Sequence, residues 1–202
     1  LSMLTTTPTG NLEGHALLSN QVKGCDNLDL MMHTNITVPE NTDWTPIANN
    51  NGECFEGTLH GDGYYISGLN KSLFNHLCGS VYNLGVMGSF TGAGVAETGL
   101  GYVENCWIST SSTDAKTSKP VFGNPNRGSG YQLVNCYYQE EADATNKYTN
   151  HSGTYGIPTR KNSQAFYNGE VAYDLNGFYL FKRYNDHETA SGTDYKYYAI
   201  NE

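Results

Sequence analysis

The chain has few positive charges and no long apolar run, and each absence excludes a class of partner or environment. Only 11 of its 202 residues are Lys or Arg against 20 Asp or Glu, so the formal net charge is −9. Such an acidic surface repels phosphate backbones and anionic lipid, and we expect no nucleic-acid partner. No apolar stretch approaches the ~18 residues that can span a bilayer, so we expect no membrane insertion within this segment.

The cysteines lack a recognised motif as well. The five cysteines are Cys25, Cys54, Cys78, Cys106 and Cys136. An odd number without a Cys-x-x-Cys pair fits neither a disulfide scaffold nor a zinc site. The six histidines are dispersed, without the spacing of metal-ligating pairs. We therefore expect no metal and no cofactor.

Glycine and tyrosine are abundant instead, at 23 and 16 residues, while charged residues make up only 15% of the chain. Many turn formers combined with many β-favouring aromatics indicate an all-β extracellular protein. The first residues are neither an initiator Met nor a signal peptide. We expect either a segment of a longer exported protein, flanked by adjacent modules, or a mature form without its export signal.

A six-residue pattern recurs through the middle of the chain. Three copies align without gaps, at 81–86, 103–108 and 133–138, and residues 66–71 match with weaker ends. The third position of each copy is Gly or Asn, which most readily adopt a left-handed backbone conformation. These third positions are Gly68, Asn83, Asn105 and Asn135. We expect the four residues to stack at one corner of a coil, one in each turn.

The spacing of this pattern predicts a solenoid. A coil of two or three short strands per turn, with corner loops of variable length, produces repeats of this kind. The predicted fold class is all-β, a right-handed parallel β-helix whose stacked turns together supply the core. One expected inward column contains Ile66, Val81, Val103 and Leu133. Another contains Cys106 and Cys136, which we expect to be free buried thiols.

We divide the chain into three parts. They are an N-terminal lead-in or cap at 1–24, the parallel β-helix at 25–140 and a C-terminal cap at 141–202. In the last part, a polar loop precedes a helix at 162–175, which Asn162 caps and which covers the last coil. Aromatic runs at 179–184 and 194–200 then predict the two strands of a short hairpin.

Two strings before the repeat point to a family. They are Trp44-Thr45-Pro46-Ile47 and residues 55–69, which read Phe-x-Gly-x-x-x-Gly-x-Gly-x-x-Ile-x-Gly-Leu. These strings resemble the GLUG-type right-handed β-helix repeat proteins, exported surface proteins of gut anaerobic bacteria, over roughly residues 25–140. The resemblance implies a bacterial cell-surface location and an adhesin-like or ligand-binding architecture. It transfers no catalytic residue, because the matched positions look structural.

Carbohydrate-active enzymes also use parallel β-helices, and they are the main alternative. A glycosidase needs two carboxyl groups about 5–10 Å apart. Glu104 is the only outward acid in the repeat columns, beside Ser67, Tyr82 and Val134, so no acidic stripe is expected. Asp62 lies between two glycines and fits a tight turn. A polysaccharide lyase or glycosidase therefore stays an alternative, and a structural spacer of a larger surface protein is a third possibility.

Outward aromatic side chains are the better functional clue. Trp107 and Tyr137 occupy one outward column on successive coils, and Tyr82 also points outward. Flat rings can stack on sugars or anchor a protein partner. They can also cover core edges under a loop or pack on one another. We predict an adhesion-like surface module that binds a glycan or host surface protein through Trp107, Tyr137 and Tyr82 and has no catalytic activity.

Overall fold

The structure, a computed structural model, describes residues 28–125, 132–149 and 156–177. Within these ranges fourteen short strands pair only in parallel and form three sheets. The sheets wind into a right-handed β-helix of about 4 turns, which confirms the predicted fold class. Three predicted features lie outside the described residues, namely the lead-in at 1–24 and the hairpin strands at 179–184 and 194–200.

The middle turns contribute one strand to each sheet, whereas the described turns at the two ends contribute no strand to the three-stranded sheet. The five-stranded sheet contains β1 (Asp29–Met31), β3 (Thr58–His60), β6 (Ser80–Tyr82), β9 (Tyr102–Glu104) and β12 (Leu133–Val134). The six-stranded sheet contains β2 (Ile36–Thr37), β4 (Tyr65–Leu69), β7 (Gly85–Gly88), β10 (Trp107–Thr110), β13 (Tyr137–Gln139) and β14 (Thr159–Lys161). The three-stranded sheet contains β5 (Phe74–Leu77), β8 (Ala96–Gly99) and β11 (Phe122–Pro125).

A ladder of asparagines forms the corner between the five-stranded and six-stranded sheets. Asn83, Asn105 and Asn135 have φ angles of 55°, 57° and 47°, which confirms the predicted left-handed corner at these three positions. The Asn105 Nδ2 donates to Asn83 Oδ1 at 3.0 Å, and the Asn135 Nδ2 donates to Asn105 Oδ1 at 2.6 Å. Each such bond contributes about 1 kcal/mol net, so the ladder ties consecutive coils together in register.

Gly68 does not belong to this corner, and the prediction is wrong for that residue. β3 pairs with β6 residue for residue, which places Gly61 beside Asn83. Ile66 pairs with Val86 in the six-stranded sheet, so Gly68 lies on a different side of the coil. Residues 62 and 63, both with positive φ, lengthen the corner after Gly61. This insertion hides the true repeat, and the string at 66–71, which begins one residue after the start of β4, matches the pattern only by chance.

Apolar columns fill the interior of the coil. The first column contains Leu59, Val81, Val103 and Leu133, so Leu59 takes the place predicted for Ile66. The family-like strings also supply core residues, since Trp44, Phe55, Ile66 and Leu69 are all buried.

Cys106 and Cys136 are free and buried, as predicted. Burial raises the pKa of both thiols, to about 12 for Cys136, so they stay protonated and pack as small hydrophobes.

The C-terminal segment packs against the side of the coil. The predicted helix at 162–175 is two short helices, α1 (Ser163–Tyr167) and residues 170–177. Asn162 caps α1 by accepting a bond from the Ala165 N–H, as predicted. Gly169, with φ 84°, separates the helices because its left-handed backbone cannot continue a helical turn. Within the described ranges no helix has the length and apolarity needed to cross a bilayer.

Candidate functional site

Trp107 and Tyr137 face outward from the six-stranded sheet, but the C-terminal helices cover them. The two residues pair directly across β10 and β13. Only 5% of Trp107 and 8% of Tyr137 is exposed. The ring of Phe166 from α1 meets the Trp107 ring edge-on, with centroids 5.9 Å apart. These aromatics therefore form the core of the C-terminal cap and offer no open groove to a ligand.

An ion-pair network holds this cover in place. The Lys161 ammonium lies 2.5 Å from a Glu170 oxygen and 2.9 Å from an Asp174 oxygen. The same ammonium stands 5.8 Å from the centre of the Tyr137 ring. The hydrogen bonds to Glu170 and then Asp174 raise the pKa of Lys161. Lys161 therefore ties β14 and the covered ring to the helix at 170–177.

Tyr82, the third predicted site residue, lies on the outer face of the five-stranded sheet. Its ring stacks on His60 from the preceding coil at 5.4 Å and 17°. The ring of Tyr102, from the following coil, lies 5.9 Å away on the other side. All three side chains are partly exposed. We call His60, Tyr82 and Tyr102 the aromatic stripe; it crosses three consecutive coils on a face that the described helices leave open.

A carboxylate lies at each end of the aromatic stripe. An Asp29 oxygen is 3.3 Å from His60 Nε2, and Asp29 is largely exposed. At the other end the Tyr102 hydroxyl donates to Glu104 Oε2 at 2.5 Å. Burial and, second, this bond raise the pKa of Tyr102, so its phenol stays protonated and continues to donate. Glu104 itself is only 4% exposed, so it is Asp29 that presents an accessible carboxylate beside the partly exposed rings.

A shallow cleft of about 450 Å³ opens beside the aromatic stripe. Its lining residues are Cys78, Gly79, Ser80, Tyr82, Leu100, Tyr102 and Glu104. Leu100 is 46% exposed, whereas most large apolar side chains of the described residues are buried. Ring faces, an apolar side chain and a few polar groups around one concavity are the usual components of a small-ligand or sugar site.

A second cleft, of about 460 Å³, lies near the chain after β2 and contains no aromatic ring in its lining. Its polar groups bond to one another. The Asn70 amide accepts from the Trp44 N–H and donates to Asp43, and Lys71 pairs with Asp43 at 2.7 Å. The hydrogen bond from Lys71 lowers the pKa of Asp43. These bonds fix the loop that buries Trp44, and we assign the second cleft no ligand.

The carboxylates of the stripe are far apart. Asp29 lies on the first coil and Glu104 on the fourth. Three coil spacings of ~4.8 Å separate them by about 14 Å along the helix axis, beyond the ~5–10 Å of a glycosidase pair. Asp62 has φ 57° and belongs to the corner turn, as predicted. The acids placed on this face therefore serve better as hydrogen-bond acceptors than as an acid–base pair.

Several residues of the site escaped the sequence analysis. His60 and Tyr102 flank Tyr82 in space, and the correct repeat alignment, with Gly61 beside Asn83, would have predicted His60 at the column of Tyr82. Cys54 and Cys78 form a disulfide, although the cysteine count suggested none. His76 lies beside that disulfide. The spacing of 24 residues between Cys54 and Cys78, close to one coil, was the available signal.

Comparison with known proteins adds no relative. No family model, no curated protein and no solved structure matches this chain. The resemblance to GLUG-type repeat proteins therefore stays a prediction. Any functional assignment has to be argued from the residues themselves.

Proposed function

We propose that this chain is an extracellular, adhesion-like surface module that binds a glycan on the outer face of its five-stranded sheet, without catalysis. The observation that carries the proposal is the aromatic stripe, in which three partly exposed rings lie 5.4 and 5.9 Å apart beside a cleft. Exposed rings aligned across a rigid sheet cost little entropy to hold in place, which favours their use as a binding surface.

The chemistry of this face fits neutral or amino sugars. The apolar C–H faces of a sugar ring pack on aromatic rings, while its hydroxyls donate to nearby carboxylates. Asp29 supplies such an acceptor at one end of the stripe, where its side chain is largely exposed. Glu104 at the other end is 4% exposed and holds the Tyr102 hydroxyl in place. The net charge of −9 disfavours sulfated or uronate-rich glycans. An open cleft that crosses coils suits an extended chain rather than a single enclosed sugar.

A titration with defined glycans tests the proposal. Neutral, amino-sugar and uronate oligosaccharides are titrated into the chain by isothermal calorimetry. We expect saturable binding of a neutral or amino-sugar chain, and a loss of about tenfold or more in affinity for Tyr82→Ala, since an anchoring ring contributes more than ~1.4 kcal/mol. Tyr167→Ala is the matched control, because Tyr167 is 78% exposed on α1, away from the stripe.

The same experiment separates the alternatives. Release of reducing ends or unsaturated products from any glycan would identify a carbohydrate-active enzyme instead. Binding of a host surface protein with no glycan affinity would retain the adhesin-like role but replace the ligand class. An absence of binding to all glycans and host surfaces would favour a structural spacer. Equal loss of affinity in Tyr82→Ala and Tyr167→Ala would remove the stripe from the proposal.

A further inference from the structure

A second cluster of reactive side chains lies on the outer side of the coil, where the three-stranded sheet ends. The disulfide joins Cys54 to Cys78, whose Cα atoms are 5.8 Å apart. One ring nitrogen of His76 and the two sulfurs all lie within 4.8 Å of one another. All three residues are partly exposed, so an ion from solution can reach them.

The strand geometry fixes this grouping. Phe55 and Leu77 form a parallel bridge between consecutive coils, and both are fully buried. The Phe55 N–H donates to the His76 carbonyl at 3.1 Å, and the Cys78 N–H donates to the Phe55 carbonyl at 2.8 Å. Because successive side chains in a strand alternate, the neighbours of these two buried residues all point outward. Two coils therefore present Cys54, His76 and Cys78 on one small patch.

We propose that reduction of the Cys54–Cys78 disulfide converts this patch into a binding site for one Zn²⁺ ion. The reductant is an external dithiol, which gives two electrons and two protons to the disulfide and itself becomes a disulfide. Zn²⁺ then displaces the two thiol protons, which pass to solvent. The ion is held by the two thiolates and the neutral imidazole of His76, a ligand set that zinc prefers.

The required movements are small. Zn–S bonds of ~2.3 Å and Zn–N bonds of ~2.0–2.1 Å in a tetrahedral arrangement put ligand atoms about 3.5–3.8 Å apart. The three ligand atoms already lie within 4.8 Å of one another. Once the S–S bond is broken, the two sulfurs separate by side-chain rotation toward this spacing.

Within the part of the chain that the structure describes, three residues group as ligands, and we expect the fourth position to face solvent. Thr98 pairs with His76 on the following coil, and its hydroxyl donates to the Asn124 carbonyl at 3.1 Å. A three-ligand site with an open position can accept water or a small ligand. Cys78 also lines the cleft beside the aromatic stripe, so the metal site borders the surface proposed to bind a glycan.

The oxidation state controls this site. A disulfide sulfur carries no thiolate charge, so the oxidised chain lacks two of the three ligands. The chain is thus expected to hold the disulfide in oxidising surroundings and to take up zinc only after reduction. Zinc occupancy would therefore depend on the redox conditions around the protein.

Metal titration of the oxidised and reduced chain tests the proposal. A Cys25→Ser background removes a cysteine outside the described residues, and Cys106 and Cys136 stay because they are buried. After reduction, removal of reductant and desalting under nitrogen, we expect one bound zinc per chain by mass spectrometry of metals, and none in the oxidised chain. With Co²⁺ as the probe, a thiolate-to-cobalt charge-transfer band is expected.

Two variants separate this site from adventitious binding. His76→Ala should weaken zinc binding by about tenfold or more, since one of three ligands is lost. His33→Ala, at an exposed histidine between β1 and β2 that belongs to neither site, should leave zinc binding unchanged. Loss of affinity in both variants, or in neither, would overturn the assignment of His76.

A fold control covers the effect of losing the disulfide. The Cys54→Ser, Cys78→Ser double variant and the reduced chain are compared by far-ultraviolet circular dichroism. If the reduced chain keeps its β-sheet spectrum, or regains it on adding zinc, and binds more zinc than the double variant, the proposal holds. If the reduced chain binds no more zinc than the double variant, or loses its β-sheet spectrum without recovery, the proposal is wrong.

Discussion

The five-stranded and six-stranded sheets both carry outward aromatic rings on consecutive coils, but only one set faces solvent. Tyr82 and its neighbours are partly exposed, whereas Trp107 and Tyr137 are 8% exposed or less. The difference comes from α1 and the helix at 170–177, which fold back on one sheet and not on the other. An outward aromatic column in a coiled repeat therefore does not identify a binding surface until what covers it is known.

Apolar surfaces on both sides explain why the helices pack against the six-stranded sheet. Their apolar arc contains Ala165, Phe166, Val171 and Leu175, all buried. An arc of this kind needs apolar surface to cover, and the indole of Trp107 supplies a broad one. Gly85 lies under that indole, and a Cβ at this position would approach the ring to 2.3 Å. Gly85 leaves room for the Trp107 ring to lie flat on the sheet, where the helices pack on it.

Removal of the covered Trp107 ring should have the largest effect on stability. Trp107→Ala should destabilise the chain by about 3–5 kcal/mol, because it leaves a cavity beneath the helices. Tyr82→Ala on the open face should cost less than about 1 kcal/mol, since much of that ring already contacts water. Urea unfolding of both variants, followed by circular dichroism, measures the two changes. Similar losses in the two variants would contradict the contrast between the faces.

The asparagine ladder, which joins the two sheets, gives the next effect. Asn105→Ala should destabilise by about 2–4 kcal/mol, because alanine costs about 1–2 kcal/mol in a left-handed backbone and two ladder bonds are lost. Asn105 has φ 57° and is fully buried.

Asn105→Gly is the matched variant, because glycine tolerates the left-handed backbone but lacks the amide. It should be about 1 kcal/mol less destabilised than Asn105→Ala in the same urea experiment. A glycine variant as unstable as the alanine variant would show that the amide ladder alone carries the cost.

The smallest effect concerns the ion pairs of the cover. Lys161→Ala should cost about 0.5–1 kcal/mol and speed hydrogen exchange at 170–177, because the pairs are partly exposed. The pKa of Lys161 is raised above its ordinary value of 10.5 by Glu170 and Asp174. Its contribution is therefore fully present below about pH 10.5 and is lost as pH rises through the raised pKa.

Thermal unfolding at pH 9 and at pH above 11 measures this dependence. The difference between the parent chain and Lys161→Ala should be present at pH 9 and shrink at the higher pH. A difference that stays constant over this range would show that the methylene stem of Lys161, rather than its charge, stabilises the cover.

The coil itself could be predicted from local residue chemistry. Asn83, Asn105 and Asn135 sit at equal positions in near-identical strings, and only a residue tolerant of φ near 55° fits such a corner. The pattern failed one turn earlier, where two extra residues after Gly61 displaced the repeat and Gly68 matched by chance. An insertion at a corner changes the spacing between repeats but not the strand pairing, so an alignment without gaps cannot detect the displaced repeat.

The status of the aromatic residues could not be predicted, for a different reason. Exposure of Trp107 depends on residues more than fifty positions later in the chain, and no local pattern encodes where a helix will dock. The disulfide is an intermediate case, because the 24-residue separation of Cys54 and Cys78 indicates the pairing only once the length of one coil is known. Short-range periodicity predicts strands and corners, while the surface left open is a property of the whole fold.

Oxidative footprinting read by mass spectrometry tests the central claim most directly, with and without the glycan that binds. Hydroxyl radicals should modify Tyr82 and Tyr102 in the free chain, and the glycan should protect both rings. Trp107 and Tyr137 should react little in either state. Protection of Trp107 and Tyr137 by the glycan, with Tyr82 and Tyr102 unaffected, would contradict the assignment of the open face as the binding surface.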